Sequence, residues 1–224
     1  MNSDKRQRLI EAEKKAWELF AGIEQQGLIC AGKTEKELNK EVFQLADQLF
    51  GIKKFWHKRI IRAGANTLEP YNQNPPDLTI QVDDILFLDF GPVFEDWEAD
   101  IGKTYVLGTD PDKLRLRDDT EWAWQMGKAR FDSEPEIKGS ELYAYLRELA
   151  AEKGWELGGK IGGHLIGNFP HSKIFGRNIY NYIHPSNRAR MRKPYKNEIE
   201  KDWILEIHFI DREKQIGGFF EQLL

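Results

Sequence analysis

Residues 85–91 read Ile-Leu-Phe-Leu-Asp-Phe-Gly and place one carboxylate, that of Asp89, inside an apolar run. A run of this kind is typical of a buried strand. Because a buried charge without a partner is costly, a carboxylate there must be paired, protonated or bound to a cation. Asp89 is therefore a candidate functional residue rather than a surface charge.

A second carboxylate, Asp100, follows eleven residues after Asp89, where residues 98–104 read Glu-Ala-Asp-Ile-Gly-Lys-Thr. We interpret residues 92–98 as a connection and Asp100 as the start of a second strand-like run that ends at Leu107. Two antiparallel neighbours would bring the two carboxylates to one place. A buried aspartate more often caps a turn or meets an arginine, so this pair alone leaves a metal role open.

Three further side chains, each a possible metal ligand in an apolar and strand-like context, complete the set: His164, Glu206 and Glu221. Hard divalent cations prefer carboxylate oxygen, and one imidazole favours Mn, Fe, Co or Zn over Ca. Four carboxylates in a dry site would repel each other and raise one another's pKa. Two divalent cations would cancel their charge, and metals roughly 3.5 to 4 Å apart can share and acidify a bridging water.

These residues resemble the catalytic domain of the M24 metallopeptidases, the pita-bread fold of methionine aminopeptidase, aminopeptidase P and prolidase. The resemblance rests on the Asp89 to Asp100 spacing, on Gly-His-Leu-Ile-Gly at residues 163–167 and on His171, seven residues beyond His164. It covers the chain from about residue 55 onward and suits the helical residues before it. It implies an α+β fold in which a curved antiparallel sheet is flanked by helices.

The resemblance also implies a cofactor and a mechanism. Two divalent metal ions per chain are expected, with manganese first and cobalt, zinc or iron as alternatives. Asp100 and Glu221 would bridge the metals, Glu206 would also handle the proton of the attacking water, and His171 would stabilise the tetrahedral intermediate. The implied metal ligands are Asp89, Asp100, His164, Glu206 and Glu221.

Three positions depart from the family pattern. Tyr71 stands where the peptidases carry a substrate-facing histidine, and Lys160 stands where aminopeptidase P carries another histidine. Glu206 lacks the proline that commonly follows it. Tyr71 can donate a hydrogen bond but carries no positive charge, so we expect a substrate pocket that differs from the usual proline-peptidase pocket.

Two other histidines are candidates for substrate contact together with Tyr71. His57 lies in an aromatic stretch predicted as a strand over residues 54–64, where either a structural role at the sheet edge or a substrate-pocket role fits. His208 shares a strand face with Glu206 because side chains alternate with a period of two. It is therefore expected near the site.

The chain has 224 residues, enough for a single catalytic domain, 1–224, with a helical lead-in over 1–51 and the sheet and metal site over 52–224. Helices are predicted over 4–26, 34–51, 110–130 and 139–154. A closing hairpin is predicted over 203–211 and 215–222. The net charge of −4 gives no basic footprint, so nucleic acid is not an expected partner. No apolar run is long enough to cross a bilayer.

The leading functional prediction is a dinuclear metal-dependent hydrolase, an Xaa-Pro-type aminopeptidase or dipeptidase that uses a metal-bridged hydroxide on a small peptide. One alternative is hydrolysis of a non-peptide amide or C–N bond, because a fold does not fix a function. Another is a non-catalytic pita-bread binding module. A single cysteine, Cys30, and the charged start favour a cytoplasmic location. A homodimer is expected, because a partner subunit could replace the wall that the amino-terminal domain of proline-specific relatives supplies.

Overall fold

The computed structural model of the chain describes residues 2–170, 178–194 and 200–224. Its α-helices are α1 (Asn2–Gln25), α2 (Glu35–Phe50), α3 (Pro111–Ser133) and α4 (Gly139–Glu152). Its strands are β1 (Ile60–Ala63), β2 (Ile85–Phe90), β3 (Val93–Phe94), β4 (Trp97–Glu98), β5 (Ile101–Val106), β6 (Glu156–Leu157), β7 (Gly163–Ile166), β8 (Asp202–Asp211) and β9 (Ile216–Leu223). Short 3₁₀ helices span Gly64–Leu68 and Ile179–Asn181.

One antiparallel sheet dominates the described residues. Its strands follow the order β1-β2-β5-β9-β8-β6, and β7 pairs with the first half of β8. The closing hairpin predicted from the sequence is confirmed as β8 and β9. Its turn is fixed by Asp211, whose carboxylate accepts the backbone N–H groups of Glu213 and Lys214 at 3.0 and 2.9 Å.

The helices cover one face of this sheet. Apolar side chains of α1 and α2 pack against Leu86, Leu88 and Phe90 of β2. Those of α3 and α4 pack against Leu205 and Ile207 of β8. Alternate residues of a strand point to opposite faces. The residues that alternate with these apolar ones, including Asp89 and Glu206, therefore face away from the helices.

The helix boundaries follow local capping signals. Thr34 and Glu37 form the predicted capping box of α2, and Gly51 ends that helix with a left-handed φ of 65°. Asp110 caps α3 by accepting two backbone N–H groups, and Pro111 occupies the first turn. These signals fix where each helix meets the sheet, and the boundaries predicted at these positions are confirmed.

The strand predicted over residues 54–64 was wrong in its first half. β1 spans only Ile60–Ala63, and the residues before it turn toward the end of β2. Trp56 donates its backbone N–H to the carbonyl of Gly91 at 2.9 Å, and Phe55 forms an isolated bridge with Pro92. Pairing stops there because β2 ends at Phe90 and proline has no N–H to continue the ladder.

Helix α1 holds the end of the sheet that carries β8 and β9. Lys5 and Arg6 form ion pairs with the buried Asp202 at 2.6 and 3.2 Å. Farther along α1, Glu13 accepts the backbone N–H of Leu223 at 2.7 Å.

No helix in the described ranges combines the length and the apolar character that a bilayer crossing requires.

Glu13→Gln should stabilise the fold at neutral pH. Burial raises the pKa of Glu13 from 4.5 to about 6, so its ionisation costs the folded state stability as the pH rises through this window. Glutamine keeps the oxygen that accepts from Leu223 and has no charge to bury. We expect a gain of about 1 to 2 kcal/mol at pH 8 and no gain at pH 4, measured by urea unfolding. The exposed Glu18→Gln on the same helix should be neutral at both pH values, and equal gains at both would contradict the account.

Candidate metal centre

Three carboxylates stand in one row across the sheet. Asp89 of β2 pairs with Gly102 of β5, Gly102 pairs with Glu221 of β9, and Glu221 pairs with Glu206 of β8. Directly paired residues of an antiparallel sheet point to the same face. The row therefore sets Asp89, Glu221 and Glu206 side by side on the face opposite the helices.

The fourth carboxylate, Asp100, belongs to the same face because it lies two residues before Gly102. Its side chain is 2% exposed and stands between two imidazoles. Oδ1 of Asp100 lies 3.0 Å from Nε2 of His57, and Oδ2 lies 3.1 Å from Nε2 of His164. Asp100 is therefore the group that the two histidines share.

His164 is positioned by β7. It pairs with Ile204 of β8, two residues before Glu206, and so reaches the carboxylate row. Its Nδ1 lies 2.9 Å from the carbonyl oxygen of Leu165, and Nε2 lies 3.6 Å from Oε1 of Glu221. The Nδ1–H to carbonyl bond fixes the tautomer that leaves Nε2 for the site.

His57 enters the site from the irregular segment before β1. Its Nε2 lies 3.6 Å from Oδ1 of Asp89, and its side chain is 6% exposed. Trp56 anchors this segment, because its indole N–H donates to the carbonyl of Ala99 at 3.0 Å. The Trp56 ring lies 4.4 Å from that of His57 and 5.3 Å from that of His164. The indole thus packs against both imidazoles.

Burial and the neighbouring charges shift the pKa of all four carboxylates. Burial, with repulsion from neighbouring carboxylates, raises the pKa of Asp89 and of Glu206 to about 7 each. Burial and the charges of Asp100 and Asp89 raise the pKa of Glu221 well above its usual range. Burial also raises the pKa of Asp100, but the facing imidazoles outweigh it, so that pKa lies below the usual range.

The two imidazoles compensate the carboxylates. Burial lowers the pKa of both, yet the charges of Asp100 and Asp89 bring the pKa of His57 to about 9. Hydrogen bonds with Asp100 and Glu221 likewise hold the pKa of His164 well above 6.5. Without a cation, protons on the imidazoles offset the buried negative charge.

The donor set fits divalent cations. Two groups of ligand atoms, His57 with Asp89 and Asp100, and Asp100 with His164 and Glu221, each lie within 4.8 Å of one another. Both are mixtures of carboxylate oxygen and imidazole nitrogen, which suit Mn, Fe, Co and Zn. A cation would replace the protons as the compensating charge.

The candidate substrate residues lie at different depths. Tyr71 is 50% exposed, and its ring centroid lies 5.8 Å from that of His57, so it stands at the solvent edge of the site. His208 is buried, and Nε2 lies 2.8 Å from the carbonyl oxygen of Thr67. Burial lowers the pKa of His208 to about 4, which keeps this imidazole neutral at pH 7. Lys160 is exposed.

The proposed oxyanion residue, His171, lies outside the described residues. Its role stays a prediction.

Two glycines and Trp56 belong to the site but were missed in the sequence. A Cβ on Gly91 would meet the His57 and Trp56 rings at 2.2 and 2.3 Å, and one on Gly102 would meet the Phe219 ring at 2.4 Å. Glycine in or beside a strand often marks such a close approach. That signal was present in the sequence at both positions.

Fold and site together define a protein with a candidate metal-binding centre of carboxylates and imidazoles on an antiparallel sheet. The chain belongs to metallopeptidase family M24, whose model, "Metallopeptidase family M24", matches residues 7–208. The family and the pita-bread fold inferred from the sequence are thereby confirmed.

Individual proteins are similar to this chain in sequence or in fold. The chain is 28% identical over 172 residues to an Xaa-Pro dipeptidase of Pyrococcus horikoshii. The aligned region covers 72% of this chain and 46% of that protein. The X-Pro aminopeptidase of Thermotoga maritima MSB8 matches 99% of this chain and 58% of its own, with a TM-score of 0.75 and 20% identity. The methionine aminopeptidase of Rickettsia prowazekii matches 100% of this chain and 93% of its own, with a TM-score of 0.72 and 16% identity. The chain spans less than half the length of the Xaa-Pro dipeptidases that it matches.

Asp100→Asn should remove bound metal. The Asp100 carboxylate has two charged oxygens and belongs to both ligand groups, whereas the carboxamide of asparagine has one neutral oxygen. Metal content after gel filtration should therefore fall at least ~10-fold. Asp119→Asn is the matched control, since that buried residue accepts the indole N–H of Trp155 at 2.7 Å and an amide oxygen can do the same. Elemental analysis checks both variants. Wild-type metal content in Asp100→Asn would contradict the assignment.

Proposed function

We propose that this chain is the catalytic part of a dinuclear metal-dependent hydrolase that cleaves Xaa-Pro-type small peptides, as an aminopeptidase or a dipeptidase. The observation that carries the proposal is the row of Asp89, Glu221 and Glu206 across the sheet, with Asp100 beside it. Membership of family M24 and similarity to Xaa-Pro dipeptidases support it.

The proposed metal ligands are Asp89, Asp100, His164, Glu206 and Glu221. Asp100 and Glu221 are the proposed bridges, and each is 2% exposed and faces His164. When bound, two divalent cations would acidify a water and polarise the carbonyl of the scissile bond. The chain's own residues then position the substrate and move protons.

Glu206 is the proposed proton carrier. Among the four carboxylates it alone is only partly buried, so one of its oxygens can meet a water or a substrate while the others hold cations. Its backbone N–H donates to the carbonyl of Gly162 at 3.0 Å, which holds β8 in place beside the His164 strand. We propose that the Glu206 carboxylate accepts a proton from the attacking water and passes it to the leaving amine.

Roles toward the substrate are proposed for the exposed Tyr71, the buried His208 and His171. The half-exposed Tyr71 phenol can donate a hydrogen bond to a substrate carbonyl or carboxylate. His208 holds the Thr67 carbonyl, and its ring packs against Phe87 and Phe219 at 5.9 and 6.0 Å. We propose that His208 acts by shaping this apolar wall. His171 is proposed to stabilise the oxyanion of the tetrahedral intermediate.

A second candidate function is hydrolysis of a non-peptide amide or C–N bond. The observation that favours it is Tyr71, a neutral side chain at the site edge where family peptidases carry a histidine. A phenol in that place changes the charge that a peptide substrate would meet. The same metal centre would serve either substrate.

Several finer properties are part of the proposal. The metals are two per chain, with manganese first and cobalt, zinc or iron as alternatives. Residues 1–224 act as one catalytic domain, the protein is a cytoplasmic homodimer, and its partner molecules are small peptides rather than nucleic acid or membranes.

Glu206→Gln should abolish peptide cleavage. Because glutamine cannot accept a proton, the rate on Xaa-Pro dipeptides and tripeptides should fall ~100-fold or more, read by mass spectrometry with manganese-loaded protein. Glu213→Gln in the exposed β8–β9 turn is the matched control and should keep full activity. Metal content measured in the same samples separates loss of the proton carrier from loss of a ligand.

Three other outcomes decide between the candidates. Loaded wild-type protein that cuts no peptide would contradict the peptidase proposal and favour a non-peptide amide. Wild-type protein that purifies and reloads without stoichiometric metal would contradict both and favour a binding module. Equal cleavage by wild type and Glu206→Gln would contradict the role of Glu206.

A further inference from the structure

We propose that His57 is a sixth metal ligand, which gives the Asp89 side of the centre its own imidazole. The inference rests on the proposed metal centre and goes beyond the five ligands that the M24 resemblance implies. The observation behind it is the near-symmetric placement of His57 and His164 on the two oxygens of Asp100, at 3.0 and 3.1 Å.

The geometry assigns one imidazole to each ligand group. His57 joins Asp89 and Asp100, whereas His164 joins Asp100 and Glu221. With Asp100 common to both groups, each of two cations would meet carboxylate oxygens and one imidazole nitrogen. Without His57, the Asp89 group would have only oxygen donors.

The hydrogen bonds of His57 repeat those of His164. Nδ1 of His57 lies 2.8 Å from the carbonyl oxygen of Lys58, the next residue in the chain. Nδ1 of His164 lies 2.9 Å from the carbonyl oxygen of Leu165, which is again the next residue. Metal-bound histidines characteristically donate their second N–H to a carbonyl or carboxylate, because that bond fixes the ring and the tautomer. Both rings are thus prepared to offer the Nε2 lone pair to the site.

The chain also makes room for the His57 ring. Gly91 lies directly after β2, where any Cβ would come within 2.2 Å of the imidazole. Trp56 fixes the backbone beside it through bonds to Gly91 and Ala99 at 2.9 and 3.0 Å. A substrate-binding imidazole needs a ring nitrogen open to the substrate. Here Nδ1 faces Lys58 and Nε2 faces two carboxylates, so the ligand role explains the placement better.

Metal binding by His57 would release a proton and would change which metals the centre prefers. A His57 ligand would have to be neutral, so His57 would release its Nε2 proton to solvent on metal binding, and the freed Nε2 lone pair would serve the cation. A second imidazole moves the centre away from an oxygen-rich set and toward iron, cobalt or zinc. We therefore expect cobalt or zinc to compete successfully with manganese at the Asp89 side.

Cobalt(II) binding followed by proton NMR tests the proposal directly. Paramagnetic cobalt shifts the Nδ1–H proton of each bound imidazole far from the ordinary amide region, and these signals disappear in D₂O. Wild-type protein with selectively ¹⁵N-labelled histidine should show such signals from both His57 and His164. His57→Ala should lose one of them and bind cobalt at least ~10-fold more weakly in titration calorimetry.

The controls separate ligation from folding. His184→Ala removes a histidine whose Nδ1 accepts the backbone N–H of Ser186, away from the carboxylates, and should keep every shifted signal. His57→Gln keeps a polar side chain of similar length and should lose the same signal as His57→Ala. If both His57 variants retain all shifted signals, or the wild type shows one only, the His57 proposal is overturned while the five-ligand centre stands. If wild-type protein binds no cobalt, the proposed function fails as well.

Discussion

Mutual repulsion among four buried carboxylates is the constraint on which the rest of this structure depends. Asp89, Asp100, Glu206 and Glu221 share one face of the sheet, and burial together with their mutual repulsion raises the pKa of Asp89, Glu206 and Glu221. Such a cluster is stable only when bound protons or nearby positive charges offset the repulsion. Protonated imidazoles supply it in the chain without metal, and divalent cations are proposed to supply it in the working protein.

The other face of the sheet is apolar, and its burial stabilises the fold against the repulsion among the four carboxylates. Four helices bury Leu, Phe and Trp side chains against that face. Each such side chain contributes roughly 1.5 to 3 kcal/mol, which offsets the cost of holding charges close together. The ladder hydrogen bonds then fix strand register, so that Asp89, Gly102, Glu221 and Glu206 stay in one row. Rigid placement is what a metal centre requires, and the strand register provides it for these three carboxylates.

The strands and their candidate ligands were predictable, because side chains of a strand alternate between the two faces of the sheet. Apolar runs located Asp89, Glu206 and Glu221, and the capping residues Thr34 and Asp110 located helix starts. His57 was placed wrongly in a regular strand, since its true position depends on where β2 ends and on the space at Gly91. Such long-range contacts in irregular segments have no period, so their partners could not be inferred from spacing.

A crystal structure of the protein grown with manganese, with anomalous differences collected near the manganese edge, tests the central claim most directly. The account predicts two peaks roughly 3.5 to 4 Å apart, one on each side of the Asp100 carboxylate and both within ligand distance of it. A single peak, or two peaks of which one has no contact with Asp100, would contradict the shared-carboxylate centre.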